Sequence, residues 1–143
     1  PNYETKLKEL VSKLNLKKVI FTGFVSENEK LELLESATSF ITISHSDVHT
    51  IAAQEAMAMG VPIILSKASD WPEIDEYNVG VTIDIDVKSV EDAIKNMLSQ
   101  NTNLKELSKN AKNLIKEKFL IDSLIPKYEK MFCTVIEQYK KIQ

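Results

Sequence analysis

The sequence predicts an α/β fold: a Rossmann-like parallel sheet flanked by helices, with a helical C-terminal extension. Three observations carry this. Short β-rich runs alternate with helix-length amphipathic runs, the pattern of a parallel sheet covered on both faces. The three glycines, Gly23, Gly60 and Gly80, all stand at element boundaries. From Ser89 onward the pattern is helical only. At 143 residues, 43% of them hydrophobic, the chain can bury one core. The expectation is one domain over 1–143, with Ser89–Gln143 as its helical part.

Each element has a local reason. Tyr3 to Leu14 sets Leu7, Leu10, Val11 and Leu14 at helical spacing, opening a charged first helix after Pro1-Asn2. Lys18 to Thr22 reads as a strand stopped by Gly23. Ser26-Glu27-Asn28-Glu29 is a capping box, opening a helix through Ala37 with Leu31, Leu33 and Leu34 pointing inward. Ser39 to Ile43 is a β-rich strand, Thr50 to Met59 a helix closed by Gly60, and Pro62 to Ser66 a strand whose proline stands at its start. Pro72 begins a short helix through Tyr77, and Gly80 to Asp84 is the last strand. Ser89 is read as the cap of Val90 to Gln100 and Asn103 as the cap of Leu104 to Lys118; Asp122 introduces the terminal helix. That helix lines up Leu124, Ile125, Tyr128, Met131, Phe132, Val135, Ile136 and Tyr139 as one apolar stripe, expected to pack on its own domain.

Composition narrows the function classes. With 18 lysines, 21 acids and a net charge of −3, the chain has no basic field for nucleic acid. Its apolar runs are too short for a membrane span and its N-terminus does not read as a signal, so a cytoplasmic protein is expected. Cys133 is the lone cysteine, which provides neither a disulfide framework nor a zinc site, and it is expected to be a buried packing residue. There is no Gly-x-Gly loop, no Walker lysine loop and no arginine. A phosphate would have to be held by a helix N-terminus and the side chains near it.

The junction between the strand at Ser39–Ile43 and the next helix carries the chemistry. Asp47 and Glu55 bracket it, at the place where a doubly wound sheet keeps its ligand. By spacing alone two such acids are commonplace, and Asp47 equally fits a turn or capping residue. His45 and His49 flank Asp47 without a third ligand, so no metal site is read. Ser44 fits a turn-shaping role, since no nucleophile elbow surrounds it. Lys67, at a strand end, is a candidate for phosphate. Trp71 fits either a stacking platform for a base or a cover for the core.

The string from Ser44 through Asp47, Glu55-Ala56-Met57-Ala58 and Gly60 to Pro62 resembles the donor motif of the group-1 family of retaining, nucleotide-sugar glycosyltransferases, which have the two-domain GT-B fold. Val19 to Val25, Pro72-Glu73-Ile74 and Gly80-Val81 extend the resemblance in order along nearly all of the chain. Two departures stand out. The first acid is Asp47 where the family usually has Glu, and Val48-His49-Thr50 replaces a Gly-Phe-Gly-like segment.

The resemblance implies a truncated C-terminal half of a GT-B enzyme, lacking its first two strands and the N-terminal acceptor-binding domain. Asp47 would contact donor sugar hydroxyls, with the amides of His49, Thr50 and Ile51 facing the sugar or diphosphate, and Glu55 would hold the ribose. Ser44, His45, Lys67 and Trp71 would stand behind them. The nucleotide sugar is the donor substrate; no cofactor and no metal are implied. The isolated chain is expected to lack turnover, and a membrane surface would be met only through the acceptor. An open sheet edge or the C-terminal helix would favour a homodimer. Two alternatives stay open: a sugar-nucleotide epimerase or phosphorylase of similar architecture, and a noncatalytic α/β interaction domain.

Overall fold

The computed structural model describes residues 3–142, without the side chains of 141 and 142; Pro1, Asn2 and Gln143 of the sequence reading lie outside the described residues. The chain divides into two units, one up to Lys30 and one from Leu31 onward.

In the first unit, helix α1 (Tyr3–Lys13) ends as its sequence dictates. Asn15 takes a left-handed φ of 54°, its N–H donates to the Ser12 carbonyl and that of Leu16 to Val11, which satisfies the last carbonyls of the helix. The strand expected at Lys18–Thr22 does not form. Ile20 is 82% exposed there, and no described strand pairs with this stretch. Extended backbone has no internal hydrogen bonds, so β propensity without a ladder partner does not make a strand. The capping box does form: the Ser26 N–H donates to the Glu29 carboxylate at 2.7 Å, and the Glu29 N–H to Ser26 Oγ at 3.4 Å. The Ser26 hydroxyl and then its amide hold the Glu29 carboxyl below its ordinary pKa. It opens α2 (Glu27–Ser36), which buries Leu34 alone; Leu31 and Leu33, expected inside, are exposed. The three leucines belong to the second unit, and its core takes Leu34.

The second unit is built on a parallel sheet of order β1-β2-β3, comprising β1 (Phe40–Thr42), β2 (Ile63–Ser66) and β3 (Gly80–Ile83). Phe40 stands opposite Ile63, and Ile63 opposite Gly80. The central strand is buried at every residue, as a strand covered on both faces must be. Alternation sends its side chains to two cores. Ile63 and Leu65 join Ala53, Ala56 and Met57 of α3 (Ile51–Ala58), Ile74 of α4 (Glu73–Glu76), and Ala111 and Leu114 of α6 (Leu104–Leu114). Ile64 turns the other way, to Ile83, to Ala93 and Met97 of α5 (Val87–Met97), and to Leu107.

The boundaries of α3 follow from its glycine. Gly60 has a φ of +81°, its N–H donates to Met57 and that of Val61 to Ala56, so the chain turns directly into β2. Two expectations need correction downstream. The cap of α5 is Asp86, whose carboxylate accepts from the Ser89 amide at 2.9 Å, so Ser89 lies inside the helix rather than before it. The helix capped by Asn103 is α-helical only to Leu114, and a wider π-helical turn (Ile115–Phe119) follows.

The terminal helix α7 (Ile121–Ile142) forms at the expected place, but its residues from Ile125 to Lys140 are all exposed. The apolar stripe therefore does not pack on the sheet unit, and Cys133 is exposed rather than buried. Amphipathic spacing specifies a face; it does not specify what covers it. Among the described residues, no helix is long and apolar enough to cross a membrane.

Candidate functional site

The segment from Ile43 to Thr50 leaves the carboxyl end of β1 and delivers the chain to α3. Its root is fastened to the end of β2. Ser66, fully buried, donates its hydroxyl to the Ser44 carbonyl at 2.6 Å and accepts the Ser44 amide at 3.1 Å. The Ser44 hydroxyl then accepts the Ser46 amide at 3.2 Å. Ser44 thus shapes the turn, and it is the backbone of the strand end that fixes where Asp47 begins its reach. Ser66 was not singled out in the sequence, although a serine closing an otherwise apolar strand is a polar group that must find partners.

Asp47 is half-buried, His45 is exposed, and His49 holds a left-handed φ of 51°. The imidazole of His49 meets the Trp71 ring at 4.7 Å between centroids, edge to face, and Phe119 at 6.2 Å; Trp71 and Phe119 stand 5.5 Å apart. The His49 carbonyl accepts from Gln54 Nε2 at 3.2 Å. This three-ring cluster joins the loop after β1, the turn after β2 and the π-helical turn. Trp71 is 2% exposed within it, so its ring serves the core and offers no stacking face for a base. Its Nε1 is buried with no hydrogen-bond partner.

Helix α3 starts without a capping bond from its N-cap side chain, that of Thr50, and no acid lies in the first turn. The positive end of the helix macrodipole is left for something else to meet. Ile51 is 73% exposed, and Glu55, half-buried, stands one turn further along the same helix face. Asp47 thus lies in the loop after β1 and Glu55 in α3, on either side of the helix start.

Lys67 follows β2 directly, and its ammonium pairs with Asp84, beyond the end of β3, at 2.9 Å. The described cavities lie elsewhere. A groove of about 540 Å³ runs along β3 between α5 and α6, floored by Val81, Ile83 and Met97; a cleft of about 140 Å³ lies between Lys67, Trp71 and Thr82. Neither is lined by Asp47, His49, Thr50, Ile51 or Glu55.

Comparison with known proteins gives this geometry a family. Residues 1–114 match the family described as Glycosyl transferases group 1. The chain is also 24% identical over 135 residues to the N-acetyl-alpha-D-glucosaminyl L-malate synthase of Bacillus anthracis, an alignment that covers 92% of the chain and 35% of that relative. The chain thus spans about a third of the length of the curated relative it matches. No solved structure gives a significant match. With the family match running through the sheet, the Asp47–Glu55 junction and α6, the chain belongs to the group 1 glycosyl transferases.

Proposed function

We propose that the chain is the donor-binding part of a retaining GT-B glycosyltransferase and holds a nucleoside-diphosphate sugar at the carboxyl end of β1. The observation that carries the reading is the junction itself. A half-buried Asp47 and a half-buried Glu55 flank a helix start without a capping bond from its N-cap side chain. A carboxylate accepts two hydrogen bonds at once, which suits Glu55 to the paired hydroxyls of a ribose and Asp47 to those of the sugar. The amides of His49 to Ile51 suit the diphosphate, because helix starts favour anions.

The part each group plays follows from where charge develops. As the glycosidic bond breaks, negative charge gathers on the departing diphosphate, and fixed donors at that position lower the barrier most. Here these are backbone amides. The chain has no arginine, so a planar bidentate grip on the phosphates has to come from other parts of the full protein. That protein also supplies the acceptor site, and this chain by itself binds donor without turnover. The reading assigns no step to a metal or a cofactor. An epimerase or a phosphorylase would use the same nucleotide corner, and family membership favours transfer.

The relative's name speaks of an N-acetylglucosaminyl group joined to L-malate, so an N-acetylglucosamine nucleotide belongs first in any donor panel. Calorimetry of the full-length protein with UDP-, GDP- and ADP-sugars is expected to give heat with at least one. Glu55→Ala is expected to weaken that binding about tenfold or more, the loss of a charged hydrogen-bonding group. No heat with any donor, or undiminished binding by Glu55→Ala, would reject the assignment.

A further inference from the structure

The loop that presents Asp47 is held by an aromatic clamp in which His49 stands where the Gly-Phe-Gly-like segment has its ring, and we infer that His49 is a positioning residue, acting on the donor site through Trp71 and Phe119. The inference rests on the donor-site reading above for its functional half. Its structural half stands alone.

His49 is the residue of the loop that has a left-handed backbone and, though exposed, sets its ring against two others. A left-handed φ of 51° costs a residue with a Cβ free energy, and such a conformation persists where surrounding contacts over-determine it. Those contacts are present. The imidazole stands edge to face on Trp71 at 4.7 Å with an interplanar angle of 76°, and reaches Phe119 at 6.2 Å and 64°. Trp71 is itself set edge to face against Phe119 at 5.5 Å. Aromatic pairs of this geometry add stabilisation beyond the area they bury. The His49 carbonyl is fixed independently by Gln54 Nε2, from the first turn of α3.

The consequence is directional. Ring and carbonyl together fix the peptide planes on either side of His49, and those planes aim the amides of residues 49 to 51 and set the Cα of Asp47 two residues back. Phe119 comes from the π-helical turn, 70 residues further along the chain, so a segment with no place in the donor motif steadies it. The indole Nε1 is buried without a hydrogen-bond partner among the described residues. Histidine at this position is accordingly read through its ring, not through its proton.

The test uses the full-length protein with any tryptophan outside this chain replaced by phenylalanine, so that Trp71, the chain's one tryptophan, is the reporter. Three variants are compared: His49→Ala removes the ring, His49→Phe keeps an aromatic ring, and Phe119→Ala removes the remote partner without touching the loop. His49→Ala and Phe119→Ala are expected to raise collisional quenching of Trp71 fluorescence severalfold and to weaken nucleotide-sugar binding about tenfold, with the far-ultraviolet dichroism and the cooperative melt retained. His49→Phe is expected to hold both readouts within about twofold of the parent. Unchanged Trp71 quenching in His49→Ala would overturn the clamp whatever the ligand does. A freed Trp71 with undiminished donor binding would overturn the positioning role. Failure of His49→Phe to rescue would show that the imidazole, not the ring, is needed, and would also overturn the inference. A parent protein that binds no nucleotide sugar removes the positioning role along with the donor site, while the fluorescence arm still decides whether the clamp exists.

Discussion

The two sides of the sheet are built to different standards. On the β3 side, which is an edge of the sheet as β1 is and carries the 540 Å³ groove, the polar groups and the helix start have partners. The Thr82 hydroxyl donates to the Asp75 carboxylate at 2.6 Å, Lys67 pairs with Asp84, and the helix that follows, α5, begins on a carboxylate cap from Asp86. On the β1 side the equivalent positions are bare. No described strand pairs with the outer edge of β1, a shallow apolar depression of about 220 Å³ opens beside Ile41, and the helix that follows, α3, starts without a side-chain cap. Of the candidate residues, the β3 side has Lys67 and Trp71, which line the cleft beside Thr82. The bare side carries Asp47 and Glu55. Stability and function are thus separated across three strands, and substitutions chosen in matched pairs can measure the separation.

The largest effect is expected at Gly80, the residue that lets β3 lie against β2. A Cβ there would stand 1.9 Å from the Ile63 carbonyl oxygen, a backbone atom that cannot swing away. Gly80→Ala is expected to cost about 4 kcal/mol or more, at the extreme of single substitutions. Denaturant unfolding would measure it, and a loss below about 1 kcal/mol would mean that β3 is not locked in this way.

The next comparison uses two isoleucines that stand opposite each other across β1 and β2, Ile41 and Ile64. Ile64 is 0% exposed and Ile41 is 40% exposed. Ile64→Ala is expected to cost about 3 kcal/mol, the transfer term plus the cavity left in the core. Ile41→Ala is expected to cost less than about 1 kcal/mol, because much of its surface already faces water. Equal losses at the two positions would show that the β1 edge is covered in solution.

A third substitution acts on the uncapped helix. Thr50→Asp puts an N-cap acceptor and a negative charge at the start of α3, and is expected to raise stability by roughly 0.5–1 kcal/mol. The same charge would occupy the place proposed for the diphosphate, so donor binding is expected to fall while the melting temperature rises. A stabilised protein with undiminished donor affinity would move the anion away from α3.

What was legible in the sequence was what local rules decide. Ser26 with Glu29, Asn103 with Glu106, and Gly60 before Pro62 each specify a helix end through hydrogen bonds that reach three to five residues, and the structure has all three. The order of helices and strands from Phe40 to Ile83 followed from the same signals. What was illegible needed a partner far along the chain. Val19 to Thr22 has the composition of a strand, but a strand exists only as part of a ladder. The stripe on α7 has the spacing of a packed face but lies exposed. The cluster of His49, Trp71 and Phe119 joins residues 22 and 48 positions apart, and nothing in the local sequence at any of the three announces the others. Within the candidate site, the acids and the helix start were readable from the motif string, whereas the means of holding the loop, Ser66 and the aromatic clamp, was not. Asp86 and Ser89 mark the border between the two cases. Either residue type can cap a helix; the sequence reading gave the place to Ser89, and the structure gives it to Asp86, three residues earlier.

That pair yields the smallest expected effect, and its sign can be worked out. The Asp86 carboxyl is held below its ordinary value near 3.8 first by the Ser89 hydroxyl and then by the Ser89 amide, both of which favour the ionised form. A group with a folded pKa depressed below its unfolded value contributes stability that is complete above the unfolded value. That contribution fades as pH falls through the folded one. Asp86→Asn retains an acceptor for the Ser89 amide but removes the charge. Its deficit against the parent is therefore expected to be small and constant at neutral pH, to shrink as pH falls below about 4, and to vanish where Asp86 is protonated in both states. Urea midpoints measured from pH 7 to pH 2 would trace it. A deficit that widened in acid would reverse the sign and place the Asp86 charge in an unfavourable setting, undoing the contrast between a capped α5 and an uncapped α3.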